Sequence, residues 1–572
     1  MRRSRSMFVA ISAISAAAVL AAGLFAPSVA GAGALAITGN GDFGDVTVGK
    51  YVEQTFTLQG ESPTITVTGP ATLAGTNGDE FHVTDDSCDG QVLDTAASCT
   101  VTVAAAPLAP GERDGQLVIP TDLGDRTLNL TMNGLWTNAG SFYPVATSRI
   151  LDTRTGNGAP KGQVHQGGVV HLQVTGRGGV PLTGVSAVAL NLTVTGPTSG
   201  GYMTAYPGAT TKPVVSTINF PRAWTGANQV TVPVGNNGQV DLFNCCGSVS
   251  LIADVAGWYA KDDVLPASGL YGKTYQTVPP QRIYDSRAAH EVPLPPKSWI
   301  EFDMAYYNNG VDIYSSSMTA FVATVTALNA GSTGYITAYR PGTNPTLTST
   351  LNFRPGVITP NLAIIRTAPC HESWCTADGD PVVRFYNGSS RAVDILIDAV
   401  GFYSDTMIPG GLRYRPLTPT RIIDTRTPLG TNKFGPASTH EVTAPISVAG
   451  DDTYALSANV TAIKPTSRTF LTLWPKYTNL ARPTVSELNP NAGATVAQAT
   501  VTEVGPGNVF KIYNSTGSTD LAMDVSGSFE QFPPFNPTPQ FAKGAALQLS
   551  QAARLAAPQP SLPGVVPAHR EG

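Results

Sequence analysis

A run that pairs one aspartate with two arginines occurs three times along the chain. Each repeat then closes on a second aspartate within an apolar stretch. An uncompensated buried carboxylate costs several kcal/mol, and an arginine from the opening run can bond it bidentately. We therefore expect a structural clasp between the first and last strands of each repeat, in preference to a catalytic or ligand site. The clasp residues are Arg149, Asp152, Arg154 and Asp254, then Arg282, Asp285, Arg287 and Asp398, and finally Arg421, Asp424, Arg426 and Asp524.

Pairs of aromatic residues give the best candidates for ligand binding. In an extended strand Tyr202 and Tyr206 share one face, about 13 Å apart at ~3.3 Å per residue, while Met203 and Ala205 form a core face. Such rings could stack on sugars, or they could be core residues if the sheet is covered on both sides. Asparagines at a recurrent position could bond sugar hydroxyls, or they could instead cap turns or bond along a strand edge. The candidate ligand residues are Tyr202, Tyr206, Tyr335, Tyr339, Phe470, Trp474, Asn219, Asn352 and Asn489.

Catalytic signatures are missing from the sequence. There is no G-x-S-x-G nucleophile elbow, no H-E-x-x-H zinc motif, and no histidine that recurs between repeats. The recurrent acids are matched by arginines, which lower a carboxyl pKa, whereas a glycosidase acid needs a raised one. We expect no enzyme activity, no cofactor and no metal site. A cryptic hydrolase stays open only at the insertion that contains His371, Glu372, Asp378 and Asp380.

The cysteines form three close pairs in the sequence. We expect disulfides between Cys88 and Cys99 and between Cys370 and Cys375, because an exported chain permits them. Cys245 and Cys246 are adjacent, and they are either a vicinal disulfide or two free thiols.

Further landmarks recur in the same order within each repeat. A Ser-x-x-Asn turn is followed nine residues later by an amide, at Asn228, Asn361 and Gln498, and each copy ends in Asp-x-x-Gly-x-aromatic. Short alternating runs separated by turns predict strands. The fold class expected is all-β, with an immunoglobulin-like sandwich at about 35–136 followed by three jelly-roll-like β-sandwich repeats at about 142–260, 275–404 and 414–530 (repeats 1, 2 and 3).

The repeats resemble the P-x-R-x-x-D-T-R modules of exported proteins of high-GC Gram-positive bacteria, which usually end in D-V-x-G-Y/W-F/Y. Repeat 3 departs from the pattern at Ser528, Phe470 and Trp474. The resemblance implies an exported location and leaves the ligand undefined.

The N-terminal region resembles the immunoglobulin-like domains of the choice-of-anchor D and ASH/HYDIN families. The shared features are the F-x-x-V-x-V-G opening at Phe43, the S-C-T-V-x-V strand at Ser98, and the G-x-x-x-G-x-L-x-I ending at Gly111. This resemblance implies a fold and not a function. Cys88 and Cys99 fit the additional disulfide of the bacterial members.

The first residues of the chain indicate its location, and its net charge limits the class of partner. Residues 1–30 have a basic start, an apolar stretch and the small-residue site Ser28-Val29-Ala30, which predicts a cleaved signal peptide; an uncleaved anchor is the alternative. No later stretch is long and apolar enough to span a membrane, and the net charge of -5 argues against nucleic acid. We expect residues 531–572 to be a disordered tail.

These observations predict a secreted or cell-wall-associated, non-catalytic binding protein. Its expected partner is a cell-wall or surface glycan, or an envelope protein, held by three sites that gain from multivalency. A spacer or scaffold without a small ligand is the first alternative, and a secreted hydrolase of glycans is the second.

Overall fold

The computed structural model confirms an all-β fold. It describes residues 35–48, 50–61, 64–262, 270–289, 291–304, 307–308, 311–312, 317–343, 348–404, 411–477, 480–531 and 568–571. These residues contain no α-helix, and their 3₁₀ turns include Gly78–Glu80 and Pro506–Asn508. The predicted signal peptide, residues 1–30, lies outside the described residues.

The N-terminal domain is a sandwich of two four-stranded sheets, ordered β1-β3-β8-β6 and β2-β10-β9-β5, in which β2 and β10 run parallel. Alternate side chains of the two inner faces, including Phe56, Val101 and Leu117, are fully buried between them. The strands are β1 Leu35–Thr38, β2 Asp42–Thr47, β3 Val52–Gly60, β4 Ile65–Thr66, β5 Thr72–Ala74, β6 Phe81–Asp86, β7 Val92–Leu93, β8 Ser98–Ala105, β9 Gly111–Ile119 and β10 Arg126–Leu135.

Repeat 1 has the strand order of a jelly roll, with sheets β11-β18-β13-β16 and β12-β17-β14-β15. We call these the first and second sheets. The strands are β11 Phe142–Asp152, β12 Val169–Gln173, β13 Val185–Thr195, β14 Gly201–Pro207, β15 Ile218–Phe220, β16 Thr225–Pro233, β17 Gln239–Asn244 and β18 Ser250–Ala260.

Repeat 2 follows the same order, with small additional strands between its second and third main strands and after its sixth. Its strands are β19 Thr274–Asp285, β20 Trp299–Asp303, β21 Tyr307–Asn308, β22 Val311–Asp312, β23 Met318–Leu328, β24 Gly334–Tyr339, β25 Leu351–Phe353, β26 Thr359–Arg366, β27 Ala368–Pro369, β28 Pro381–Asn387 and β29 Asp394–Ser404.

Repeat 3 has the same two sheets, although its fifth strand is reduced to a single bridge between Leu471 and Leu488. Its first sheet continues that of repeat 2 through the pair Tyr275 and Leu412. The strands are β30 Leu412–Asp424, β31 Ser438–Thr443, β32 Thr453–Ile463, β33 Leu471–Pro475, β34 Thr495–Glu503, β35 Val509–Asn514 and β36 Asp520–Gln531.

The three first sheets pack against one another around a shared aromatic cluster. The opening aromatic of each repeat meets the closing aromatic of another. Phe142 lies on Tyr403 with ring centroids 4.1 Å apart, Tyr275 lies 4.4 Å from Phe529, and Tyr414 lies 4.3 Å from Tyr259. The contacts therefore run from repeat 1 to 2, from 2 to 3 and from 3 to 1, which closes a ring.

Buried amides tie the same ring together. Asn228 of repeat 1 donates to Asn459 of repeat 3 and accepts from the Ala499 amide, each at 2.8 Å. Asn361 of repeat 2 makes the equivalent bonds to Asn191 (2.9 Å) and to the Gln229 amide (3.0 Å) of repeat 1. These bonds satisfy polar groups that would otherwise be buried without partners.

The contact from repeat 3 to repeat 2 is built differently. Gln498 stands where the other repeats have asparagine, and its longer amide reaches the carbonyl of Pro360 and the amide of Leu362. Thr324 replaces the partner asparagine, and its hydroxyl has no hydrogen-bond partner among the described residues. The third contact of the ring therefore has the same position as the other two but different hydrogen bonds.

Repeat 3 also anchors the connection between the N-terminal domain and repeat 1. Arg413 donates to the carbonyls of Thr137 and Asn138 and to the hydroxyl of Ser141, and its guanidinium lies 5.6 Å from the ring of Trp136. One buried cation therefore holds the connecting segment.

The C-terminal tail differs in part from the expectation of disorder. Residues 532–567 lie outside the described residues, but Ala568–Glu571 forms β37, antiparallel to β20 of repeat 2. Backbone pairing with the open edge of a sheet orders these four residues despite their polar composition.

Candidate functional site

The recurrent arginine run lies where the first and last strands of each repeat pair. Arg149 bonds Asp254 through Nε at 2.9 Å and Nη2 at 3.2 Å, as the register of β11 and β18 places them opposite each other. Arg282 bonds Asp398 (2.8 and 3.0 Å), and Arg421 bonds Asp524 (2.8 and 3.0 Å), in the same bidentate way. The geometry is that of a clasp across each first sheet.

Two kinds of carboxylate occupy the clasp. Burial raises the pKa of Asp254, although the Arg149 guanidinium opposes that shift. Asp152 pairs instead with Arg154 in the turn after β11, at 2.7 Å, and this bond lowers the Asp152 pKa. The pairs Asp285–Arg287 and Asp424–Arg426 repeat this local arrangement. Every acid in the clasp thus faces an arginine, which favours the structural interpretation.

The recurrent asparagines bond within their own turns. Ser216 donates to Asn219 (3.1 Å), Asn352 donates to Ser349 (3.1 Å), and Asn489 donates to Ser486 (3.0 Å). These bonds are local to each Ser-x-x-Asn segment, and Asn219 and Asn352 lie on the short edge strands β15 and β25. The contacts are thus of the turn-capping or strand-edge kind that the sequence left open beside sugar binding. The amides nine residues later, which had no role at the sequence level, form the ring contacts described above.

The aromatic pairs lie on the outer face of each second sheet, the side opposite the sandwich core. Met203 and Ala205 point into the core of repeat 1, so Tyr202 and Tyr206 take the other side. Tyr202, Tyr335 and Phe470 are half-buried. Tyr206, Tyr339 and Trp474, however, are only 5%, 6% and 4% exposed, which leaves those three rings little surface for a ligand.

Cations lie over neighbouring rings of the same faces, and Arg384 also lies 6.0 Å from the buried ring of Tyr339. Lys212, in the loop after β14, lies 4.8 Å over the ring of Phe243. Arg482, in the matching loop of repeat 3, lies 3.8 Å over Tyr513, and Arg384 of repeat 2 lies 3.7 Å over Trp299. Cation–π contacts of this kind hold loops and long side chains against the outer face.

A further aromatic row was not identified as a binding element from the sequence. Phe243, Tyr386 and Tyr513 lie beside the first ring of each pair, across from Thr204, Thr337 and Thr472. All three are half-buried, and each is followed by a buried asparagine, Asn244, Asn387 or Asn514. The recurrent aromatic-Asn dipeptide was the sequence signal that could have identified this row.

Each outer face also contains a cross-strand pair of polar side chains. His171 contacts Asp241 at 2.7 Å in repeat 1, Glu301 accepts from Arg384 at 3.0 Å in repeat 2, and Glu441 lies 3.7 Å from Lys511 in repeat 3. The positions are equivalent in register. A polar pair next to partly exposed rings can bond hydroxyls while the rings stack on a sugar.

The insertion of repeat 2 is braced by its own acids. Asp380 accepts from the amide of Ala377 and Asp303 accepts from that of Thr376, both at 2.6 Å. His371 contacts Asp378 at 2.7 Å, and both side chains are exposed. Asp380, one of the three acids considered for a hydrolase, therefore stabilises the loop, while Asp378 contacts His371 at the surface.

Disulfides join all three close cysteine pairs: Cys88–Cys99, Cys245–Cys246 and Cys370–Cys375. The adjacent cysteines, for which free thiols were the alternative, are thus bonded. Among the described residues no group of three or more His, Cys, Asp or Glu side chains is arranged to hold a metal ion. The described part of the chain also contains no helix with the length and apolarity needed to cross a membrane.

Comparisons with known proteins add little. No protein-family model matches the chain, and no curated protein matches it. Among solved structures it is similar to the VesB protease of Vibrio cholerae (22% identity, TM-score 0.14, 18% of this chain and 31% of that one). It is also similar to the secreted serine protease VesC of Vibrio cholerae (12% identity, TM-score 0.16, 40% and 51%). The chain thus spans about a third of one of these proteins and about half of the other. TM-scores this low carry no argument about fold or activity.

Proposed function

We propose that this protein is a non-catalytic binding protein of the bacterial envelope, which engages carbohydrate through the outer faces of its three repeats. The observation that supports this function is the recurrence of one arrangement three times. Each outer face places two half-buried rings beside a cross-strand polar pair, at positions equivalent in register. A pure spacer would need strands and a core, but not this repeated surface.

The partner is a cell-wall or surface glycan, with an envelope protein as the other candidate. Sugar rings stack on aromatic faces, and charged or amide groups at the side fix their hydroxyls. An exported location is part of the proposal. The three disulfides support it, because such bonds persist in oxidising compartments.

The ring of repeats sets the geometry of binding. Each repeat contributes to the shared aromatic cluster, so the three sites are held together on one unit. Three sites on one unit gain affinity by multivalency where a glycan network reaches more than one of them. This favours a role as a cross-linking adaptor within a glycan network.

The test is binding of the purified protein to isolated cell walls and to a glycan array. The variant Tyr202→Ala/Tyr335→Ala/Phe470→Ala removes one half-buried ring from each outer face, and we expect at least a tenfold loss of binding. Substituting Tyr206, Tyr339 or Trp474 would be less informative, since removing a buried ring opens a cavity.

A matched control is Leu182→Ala/Ile446→Ala, two apolar residues that are 77% and 82% exposed. It should bind like the wild-type protein. If the folded wild-type protein binds no glycan, or if the triple variant binds as well as the control, the carbohydrate function is wrong. The closed ring would then be interpreted as a rigid scaffold.

A further inference from the structure

Two adjoining cavities make repeat 2 different from its neighbours. One, of about 790 Å³, lies on the outer face between Trp299, Trp374 and Arg384. The other, of about 410 Å³, reaches toward Tyr143 of repeat 1. Both are lined by Arg340, Ala368 and Pro369, so they adjoin, and we call the two together the repeat-2 groove.

The wall of the groove is a loop that repeats 1 and 3 lack. The sixth and seventh main strands of repeat 2 are separated by residues 367–380, whereas those of repeat 1 are separated by 234–238. The Cys370–Cys375 disulfide closes this loop, and Gly379 donates to the Cys370 carbonyl at 2.6 Å. The loop is therefore held in shape in the absence of any ligand.

The charge of the groove is opposite to that of the chain. The protein has a net charge of -5. The groove, in contrast, is lined by four cations, Lys273, Arg340, Arg366 and Arg384, and by two acids, Glu301 and Glu372. Glu301 is already bonded to Arg384, and Glu372 is exposed in the loop.

The inner end of the groove concentrates positive charge without an acid. Arg340 and Arg366 both line the second cavity, and none of the described residues in its lining is a carboxylate. Arg340 donates through Nε to the carbonyl of Thr367, at 2.9 Å, which fixes its position. Burial, followed by the nearby charge of Arg340, lowers the pKa of Arg366. Two like charges held together in this way are stabilised by an anion between them.

Aromatic rings line the outer end. Trp299 and Trp374 are half-buried and lie on the wall of the larger cavity. Indole rings beside arginines suit a ligand that alternates apolar ring faces with negative groups.

We propose that the repeat-2 groove binds an acidic polysaccharide, with sugar rings along Trp299 and Trp374 and an anionic group between Arg340 and Arg366. The proposal rests on the carbohydrate-binding function above and specifies the ligand class at one repeat. The carboxylates of uronic acids and the phosphodiesters of polyol-phosphate polymers share this chemistry.

The experiment is a titration of the full-length protein with four probes, measured by calorimetry at low and high salt. The probes are an oligogalacturonate, a glycerol-phosphate oligomer, a neutral oligosaccharide of equal length, and poly-glutamate. We expect one or both anionic glycans to bind at least tenfold more tightly than the neutral one, and salt to weaken that binding.

The diagnostic variant is Arg340→Gln/Arg366→Gln. Because it removes two like charges that lie close together, it should fold at least as well as the wild-type protein, which a thermal melt checks. It should lose at least tenfold in affinity for the anionic glycan. The control Lys161→Gln/Arg222→Gln removes two exposed cations elsewhere on repeat 1 and should lose nothing.

The outcomes separate this proposal from the general function. If cell-wall binding depends on Tyr202, Tyr335 and Phe470 while the arginine variant binds acidic glycans normally, the groove proposal fails and the function stands. Preferential binding of poly-glutamate would assign the groove to an acidic protein. Equal binding of neutral and anionic glycans would also overturn it.

Discussion

Tyr414 opens repeat 3, and its ring stacks on that of Tyr259, which closes repeat 1, with centroids 4.3 Å apart and planes inclined by 29°. The third repeat thereby returns to the first, although the two are separated in sequence by the whole of repeat 2. A linear array of modules would leave Tyr259 exposed, whereas here it is almost fully buried. The three repeats therefore form one cooperative unit with a shared core.

Asn228 tests the polar part of this ring. In Asn228→Ala, the Asn459 side chain and the Ala499 amide lose a buried partner, and each unsatisfied group costs about 1–3 kcal/mol. We expect a lower urea midpoint for the three repeats together. Asn219→Ala removes a bond to Ser216, three residues earlier in the chain. It should lower the free energy of unfolding by less than about 1 kcal/mol. Equal effects from the two variants would contradict the closed ring.

The glycine of the closing motif makes room for the opening aromatic of its repeat. A Cβ at position 401 would lie 2.3 Å from the Tyr275 hydroxyl and 2.5 Å from the carbonyl of Gln276. We expect Gly401→Ala to destabilise the protein by about 1–3 kcal/mol or more through overpacking, as measured by thermal unfolding.

Gly435 provides a matched control for that substitution, because a Cβ there meets no atom within 4 Å. Gly435→Ala should leave the melting temperature close to that of the wild type. If Gly401→Ala has the same melting temperature as Gly435→Ala, the ring of Tyr275 can move aside.

The clasp should behave as a buried ion pair with an exposed neighbour. Asp254→Ala leaves the Arg149 guanidinium without its main counter-charge, and we expect a loss of about 3–5 kcal/mol in unfolding free energy. Arg154→Ala removes a partner that is 48% exposed and should cost no more than about 1 kcal/mol. The two variants are compared by denaturant unfolding. If both lose a similar amount of unfolding free energy, Asp254 is not held mainly by Arg149.

Two buried carboxyl groups should make the stability of the protein depend on pH. Burial raises the pKa values of Glu487 and Glu503 from 4.5 to about 7, with the charge of Asp398 adding to the shift at Glu487. The unfolded chain releases these protons at lower pH than the folded protein does. The free energy of unfolding should therefore fall as pH rises from about 4.5 to about 7 and then level off.

The variant Glu487→Gln/Glu503→Gln isolates this effect from the clasp. Its unfolding free energy should depend less on pH across that window, while Glu53→Gln, at an exposed position, keeps the wild-type profile. A double variant with an unchanged profile would assign the pH dependence to other groups.

The fold class could be predicted because its signals are local. Alternating runs, turns and the threefold recurrence of Asp-x-x-Gly-x-aromatic indicate strands and repeated sandwiches, and the strand order of a jelly roll agrees with them. The clasp followed from chemistry alone, since Asp254 within an apolar run needs a counter-charge. The aromatic pairs were also placed on the correct face, because side chains in a strand alternate.

How the repeats meet and what covers their faces depend on contacts between residues distant in sequence. No local pattern distinguishes Asn219, which bonds Ser216 in its own segment, from Asn228, which bonds another repeat, since both are amides in similar surroundings. Tyr202 and Tyr206 share one face, yet their exposure differs because covering depends on such long-range contacts. Local patterns therefore specify the modules and their internal clasps. The closed ring emerges only in three dimensions, because long-range packing is set by the combined surfaces of three repeats and not by any one of them.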